Sequence, residues 1–283
     1  MDLSIIIVSW KVKEKLRANL AALYASIGDF SDEIFVIDNN SGDGTVEMIE
    51  AEFPQVKLIA NSENYGFAKA NNQALKLAKG DYILLLNPDM LVNPDTLVKA
   101  LTWARNNQQA VVSGFRLVNE KGEAIAQIRR FPNLFDQLMV IWKIPHFLPF
   151  VLNHYLCKNF DYNHEAKVDS VRGAFFMINK RVWQEISREE LPLLDERYFI
   201  WFEEVDFCKQ VYQAGGEVWY SPAADCLDYI GTSFGQVAVN TKQGYFKDSM
   251  LKYFKKWHPA WQSAILKSSW SSVKFLISLF SQK

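Results

Sequence analysis

The chain has 283 residues, 49% hydrophobic and 22% charged, enough apolar material to bury one large core. A formal net charge of −1 gives no reason to expect a nucleic-acid partner. The three cysteines, Cys157, Cys208 and Cys226, are odd in number, scattered and without metal-ligand spacing, which argues against a disulfide framework and fits a reducing compartment.

The opening MDLSIIIVSW has no basic stretch ahead of its apolar run, so a buried strand over 3–8 is expected rather than a secretory leader. The stretch 13–26, KEKLRANLAALYAS, puts Leu16, Leu20 and Leu23 on one helical face. A second strand, EIFVID (33–38), follows. After it, NNSGDGT offers Ser41, Asp43 and Thr45 as caps for a helix carrying Val46, Ile49 and Phe53. VKLIA (56–60) reads as a third strand, 67–77 as a third helix and YILLLN (82–87) as a fourth strand. Strands apolar on both sides, alternating with helix-length crossovers, are the pattern of a mostly parallel, Rossmann-like α/β sheet with helices on both faces.

In such a sheet ligands bind beyond the carboxyl ends of the strands. Asp38 in FVIDNNS and Asp89 in LLLNPDM stand there. Either alone could be a turn former or loop cap, but two at equivalent strand ends of one half-domain point to a site, with Asp89 able to reach a bound cation.

Beyond Asp89, strands are expected over 110–119 and 122–133, joined at Glu120-Lys121-Gly122. The segment 131–160 is aromatic, proline-interrupted and unassigned; its most apolar part, LMVIWKIPHFLPFVL, carries Lys143 and two prolines and is too short to span a membrane. The stretch 170–186 reads as a strand leading into a helix, where Gly173 and Ala174 leave room for a ligand. Arg129, Arg130 and Arg172 are candidate phosphate clamps or surface ion-pair partners, and the four histidines read as structural or surface residues. In DERYFIWFEEVDFCKQVYQAGG, Glu203, Glu204 and Asp206 open a helix with Val205, Cys208, Val211 and Tyr212 on one face. Acids in a first turn complement the helix dipole; three within four residues would also crowd and desolvate one another, raising one pKa as general-base chemistry requires.

From Asn240 to the last residue the chain holds eight lysines and one acid, Asp248. There Leu266, Trp270, Val273, Ile277 and Phe280 share one helical face, with Lys267 and Lys274 elsewhere. This reads as an interfacial membrane anchor or as a helix packed on its own domain or a second subunit. The expected organisation is one domain over 1–240, in two halves that divide at about 115, and a basic helical region over 241–283.

The motifs IIIVSWK, VIDNNSGDGT, NYGFAKANN, LLLNPD, VRGAFFMI and DERYFIWFEEVDFC, in this order, resemble family 2 glycosyltransferases of the GT-A fold. The subgroup they are most similar to includes bacterial rhamnosyltransferases and related enzymes of cell-surface polysaccharide assembly, and the likeness runs over 3–256. The resemblance implies that Asp38 contacts the base or ribose of a nucleotide sugar, that Ser9 and Trp10 line the base pocket, and that Asn64, Gly66, Asn71, Asn87, Arg172 and Gly173 hold the donor. It implies that Asp89 holds Mg2+ or Mn2+ on the donor diphosphate and that Glu204 is the catalytic base, supported by Glu203 and Asp206. Two positions depart from the family pattern: Glu204 stands where relatives commonly have Asp, and Asp228 where many have a metal-binding histidine, so Asp228 either joins the metal shell or caps the turn YIGTS. At about 100° per residue, Glu203 and Glu204 are not expected to aim at one hydroxyl.

The donor implied first is dTDP-rhamnose, with UDP-hexoses next, and the acceptor a glycan or lipid-linked glycan, transferred with inversion in the cytoplasm or at the inner face of the membrane. Two other classes stay open: a nucleotidyltransferase, although SWKVKEK has no glycine-rich triphosphate loop, and a silent sugar-nucleotide-binding or scaffold protein, although Asp89, Glu203, Glu204 and Asp206 are all present.

Overall fold

The computed structural model describes residues 1–229, 235 and 237–280, with side chains as far as Val273. Strands β1 (Leu3–Ser9), β2 (Asp32–Asp38), β3 (Lys57–Ala60) and β4 (Tyr82–Leu86) run parallel in the order β3-β2-β1-β4, linked by α1 (Lys13–Tyr24), α2 (Thr45–Glu52) and α3 (Phe67–Leu75). Side chains alternate across a strand, so Ile5 and Ile7 of β1 meet Leu16 and Leu20 of α1 on one face, while Ile6 meets Ala74 and Leu75 of α3 on the other. Both faces being covered, the strands read as unbroken apolar runs. The α1 stripe is buried as expected; in α2, Met48 is buried and Val46 only partly so.

The chain continues through β5 (Met90–Val92), α4 (Thr96–Asn106), β6 (Ala110–Val118), β7 (Ile128–Arg129), α5 (Leu134–Ile141), β8 (Ala166–Lys167), β9 (Ser170–Val171), β10 (Phe175–Asn179), α6 (Lys180–Ser187), α7 (Glu203–Gln213), β11 (Glu217–Asp228), α8 (Val239–Trp257) and α9 (Ala260–Phe280). The sheet extends as β4-β10-β6-β11-β5, with β10 antiparallel to both its neighbours and β8 beside β11. The strand expected over 122–133 shrinks to Ile128–Arg129, because the Asn119 side chain accepts the backbone N–H groups of Lys121 and Glu123 and holds that stretch as a loop. The unassigned segment contains α5, capped by Asn133, and two short 3-10 turns, Ile144–His146 and Pro149–Leu152, each with a proline in its first turn, where a missing N–H costs nothing.

The C-terminal helices build a third apolar cluster in which Met250, Tyr253 and Phe254 of α8 and Leu266 and Trp270 of α9 meet Ile141 of α5 and Tyr198 and Phe202. The expected tail stripe is therefore turned toward its own domain as far as it is described: Leu266 is fully buried and Trp270 nearly so. The side chains of Ile277 and Phe280 lie outside the described residues. Among the described residues no helix is long and apolar enough to cross a membrane.

Candidate active site

At the mouth of β4 the turn Asn87-Pro88-Asp89 is pinned from two sides. The Asn87 N–H donates to the Ala174 carbonyl at 3.0 Å, and the buried Asn19 amide donates to the carbonyls of Asn87 and Met90 at 3.2 and 2.8 Å. Asp89 is 5% exposed and lines a cavity of about 220 Å³ beyond the strand ends. Antiparallel pairing of β5 with β11 sets Asp228 opposite Met90 and so beside Asp89. Asp228 does not stand open to a cation: its Oδ2 accepts from Arg172 Nη1 at 2.5 Å, and Arg172, not Asp228, reaches the cavity wall. Burial raises the Asp228 pKa, Arg172 opposes the rise and the charge of Asp89 adds to it.

The second wall is the start of α7. Trp201 (φ 64°) and Phe202 (φ 71°) both occupy the left-handed region, a strained pair for bulky residues. Phe202 is held there by Phe246 and Tyr253, with ring centroids 5.5 and 5.6 Å away. This turn brings both Glu203 and Glu204, the first two residues of α7, to the cavity wall. Glu203 is 4% exposed, and the Oε2 atoms of both residues are buried with no hydrogen-bond partner. Burial, and then the charge of Glu204, lift the Glu203 carboxyl well above the usual range; burial lifts Glu204 too, opposed by the backbone N–H groups of Glu204 and Val205 and then by Arg172 and Arg129. The two carboxyls titrate as one coupled pair, and burial holds both of them protonated to higher pH than an ordinary glutamate.

Trp10, Asn64, Gly66, Asn87, Arg172 and Gly173 complete the wall among the residues expected there. Gly66 is irreplaceable on two counts: its φ is +81°, and an added Cβ would lie 2.3 Å from the Phe199 carbonyl oxygen, which accepts the Phe67 N–H at 2.7 Å. Gly66→Ala is expected to destabilise the fold by about 1–3 kcal/mol in urea unfolding and to weaken donor binding as the Phe199 loop moves.

Besides Asp228, four of the expected site residues lie off the cavity wall. Asp38 accepts the Ser41 N–H and hydroxyl at 3.0 and 2.5 Å and so holds the turn after β2. Ser9 is fully buried and Asn71 donates to the Phe67 carbonyl, both behind the wall. Asp206, fully buried, accepts from Lys256 Nζ and Trp257 Nε1 at 2.7 Å each, from Gln210 at 2.8 Å and from the Tyr198 hydroxyl at 3.1 Å. It ties α8 to α7 instead of facing the chemistry. Asn39, Phe199 and Trp201 line the cavity and were missed; Asn39 sits in the quoted NN of VIDNNS, but the other two carried only an aromatic signal.

A family model described as "Glycosyl transferase family 2" matches residues 4–182, well over half of the chain. The chain belongs to glycosyl transferase family 2. Membership in it removes the nucleotidyltransferase alternative. Curated relatives include the uncharacterized glycosyltransferase YfnE of Bacillus subtilis, 37% identical over 40% of this chain and 30% of its own length. The low-salt glycan biosynthesis hexosyltransferase Agl10 of Haloferax volcanii is 24% identical over 73% of this chain and 60% of its own. The N-acetylglucosaminyl-diphospho-decaprenol L-rhamnosyltransferase of Mycobacterium tuberculosis is 22% identical over 83% and 78%. The chain thus spans less than two thirds of the first two. Among solved structures, the family 2 chain shares its fold with the mannosyltransferase PcManGT of Pyrobaculum calidifontis in complex with GDP-Man and Mn2+, at 14% identity and a TM-score of 0.58, covering 99% of this chain and 75% of that one. S. aureus TarS 1-349 in complex with UDP-GlcNAc gives 15% identity and a TM-score of 0.54, covering 97% and 73%. The α/β GT-A architecture expected from the sequence is the one observed.

Proposed function

We propose that this chain is an inverting glycosyltransferase that moves a sugar from a nucleoside diphosphate donor to a hydroxyl of a glycan or lipid-linked acceptor in cell-surface polysaccharide synthesis, at the cytoplasmic face of the membrane. One observation carries the reading: the same cavity beyond the strand ends is lined by Asp89 and by Glu203 and Glu204, whose Oε2 atoms are buried without a hydrogen-bond partner. Glu204 takes the proton of the acceptor hydroxyl, the oxygen attacks the anomeric carbon as its bond to the diphosphate breaks, and one in-line displacement inverts that carbon. Trp10, Asn64, Gly66, Asn87 and Gly173 hold the donor, and Arg172 faces its diphosphate as a charged clamp. Ser9, Asp38 and Asn71 stabilise that wall from behind.

Among the described residues no cluster of three or more metal-ligating side chains converges. The residues present nonetheless fit Mg2+ or Mn2+, which characteristically take one or two carboxylates and complete their shell with phosphate oxygens and water. Asp89 would hold the ion, and bound there it would neutralise the leaving diphosphate. L-rhamnose on dTDP is the first candidate donor, supported by the mycobacterial relative's name, with UDP-hexoses next.

The deciding experiment is donor hydrolysis by the purified chain across a panel of nucleotide sugars with Mg2+, Mn2+ or chelator; hydrolysis of none of them sinks the reading. Asp89→Ala is expected to abolish the metal dependence of donor binding in calorimetry, and metal-dependent binding that survives unchanged removes Asp89 from this role.

A further inference from the structure

The segment left unassigned by its sequence holds five of the exposed large hydrophobic side chains among the described residues, Phe135, Trp142, Phe147, Leu148 and Phe150. Trp142 is 41% exposed, Phe147 82% and Phe150 66%, with Leu148 between them; Trp261 and Ile265 stand exposed on α9. The two places are joined through α5, which packs on α9 through Ile141, Leu266 and Trp270 and also contacts both 3-10 turns. Apolar side chains gathered in this way are characteristic of an interaction surface.

Charge identifies the partner. From Leu134 to Lys158 the one acid is Asp136, which is buried, whereas Lys143 and Lys158 are exposed. After Asp248 the chain has no acid, and Lys252, Lys255 and Lys267 are exposed, whereas Lys256 is tied to Asp195 and Asp206. Aromatic and aliphatic side chains projecting from a segment that has exposed lysines and no exposed acid of its own match the interface of an anionic bilayer, where rings enter the headgroup region and lysines meet the phosphates.

We propose that the 142–150 turn, together with the exposed flank of α9, docks the protein on an anionic phospholipid surface. This differs from the amphipathic stripe first expected to do so, whose Leu266 and Trp270 are spent on the core. It rests on the lipid-linked acceptor reading above and gives it a geometry: the apolar cluster beneath this face includes Trp201, which also lines the catalytic cavity. Docking there holds the cavity close to the layer in which a lipid-linked acceptor sits.

The test is flotation of the full chain with vesicles of phosphatidylglycerol and phosphatidylcholine, against phosphatidylcholine alone, for the wild type and Phe147→Ser/Phe150→Ser. Both phenylalanines are exposed, so the double variant keeps its circular dichroism spectrum and its hydrolysis of donor in solution. The wild type is expected to float with the anionic vesicles in a salt-sensitive manner, and the double variant to bind them about tenfold or more weakly. Equal binding of the two proteins, or no binding of the wild type, overturns the proposal. So does a concentration-dependent dimer in sedimentation velocity that the double variant dissolves, with no vesicle binding. A chain that floats through these two residues yet hydrolyses no donor would instead defeat the transferase reading and leave the docking surface standing.

Discussion

Glu204→Gln is expected to bind donor about as tightly as the wild type and to turn over roughly 10²- to 10⁴-fold more slowly, the usual worth of a positioned base. The two effects separate because Trp10, Asn64, Gly66 and Asp89, proposed to hold the donor, line the cavity from other elements, while Glu204 enters from the strained turn before α7. Glu204→Asp keeps the carboxylate at a shorter reach and should recover part of the rate. The pH profile carries the same assignment. The base must be ionised, and burial raises its pKa, so the acid limb of kcat/KM should lie above the 4.5 of an ordinary glutamate. Stability moves in the opposite sense. The folded state binds the Glu203 and Glu204 protons more tightly than the unfolded chain does, so this contribution is most favourable at low pH and declines as pH rises from about 4.5 through the raised folded pKa values. Glu203→Gln, which has no proton to lose, should flatten that decline in a series of thermal melts. Near-normal turnover in Glu204→Gln would remove the base assignment.

Asp206→Ala is expected to act on the fold instead, at a cost of about 3 kcal/mol in urea unfolding. The carboxylate accepts four hydrogen bonds, two of them from Lys256 and Trp257 at the end of α8. Removing it leaves the Lys256 ammonium with Asp195 at 3.1 Å as its remaining carboxylate and strands the Trp257 indole N–H. Because Lys256 keeps 23% of its side chain exposed, water makes good part of the loss, which sets the expectation at the low end for a broken buried pair. Turnover per folded molecule should stay within a few-fold of wild type. A variant that folds normally, binds donor and has lost its turnover would make Asp206 the base in place of Glu204.

The contrast between Glu204 and Asp206 shows how far sequence reading reaches. The two acids are neighbours in one motif, both in the first turn of a helix, and nothing local tells them apart. Their roles diverge through distant partners: Asp206 meets residues of α8 some fifty positions later, and Glu204 meets a cavity wall built by other strands. Asp38 and Asp89 likewise stand at equivalent strand ends, yet Ser41 engages both oxygens of the first, while the second reaches the cavity.

What the amino-acid order determined by itself is what repeats locally: the first four strands, the three helices between them, the α/β class and the strand-end location of the site. A period of two or 3.6 residues, and a turn that must end a strand, are set by neighbours a few positions apart. Only the tertiary structure decided the rest. Pairing of β5 with β11 put Asp228 beside Asp89 and bound it to Arg172, and the α5–α8–α9 cluster turned Leu266 and Trp270 of the tail stripe inward and left Phe147 and Phe150 outside. An apolar side chain is driven out of water but not toward a particular partner, so its destination depends on which surfaces the whole chain brings together.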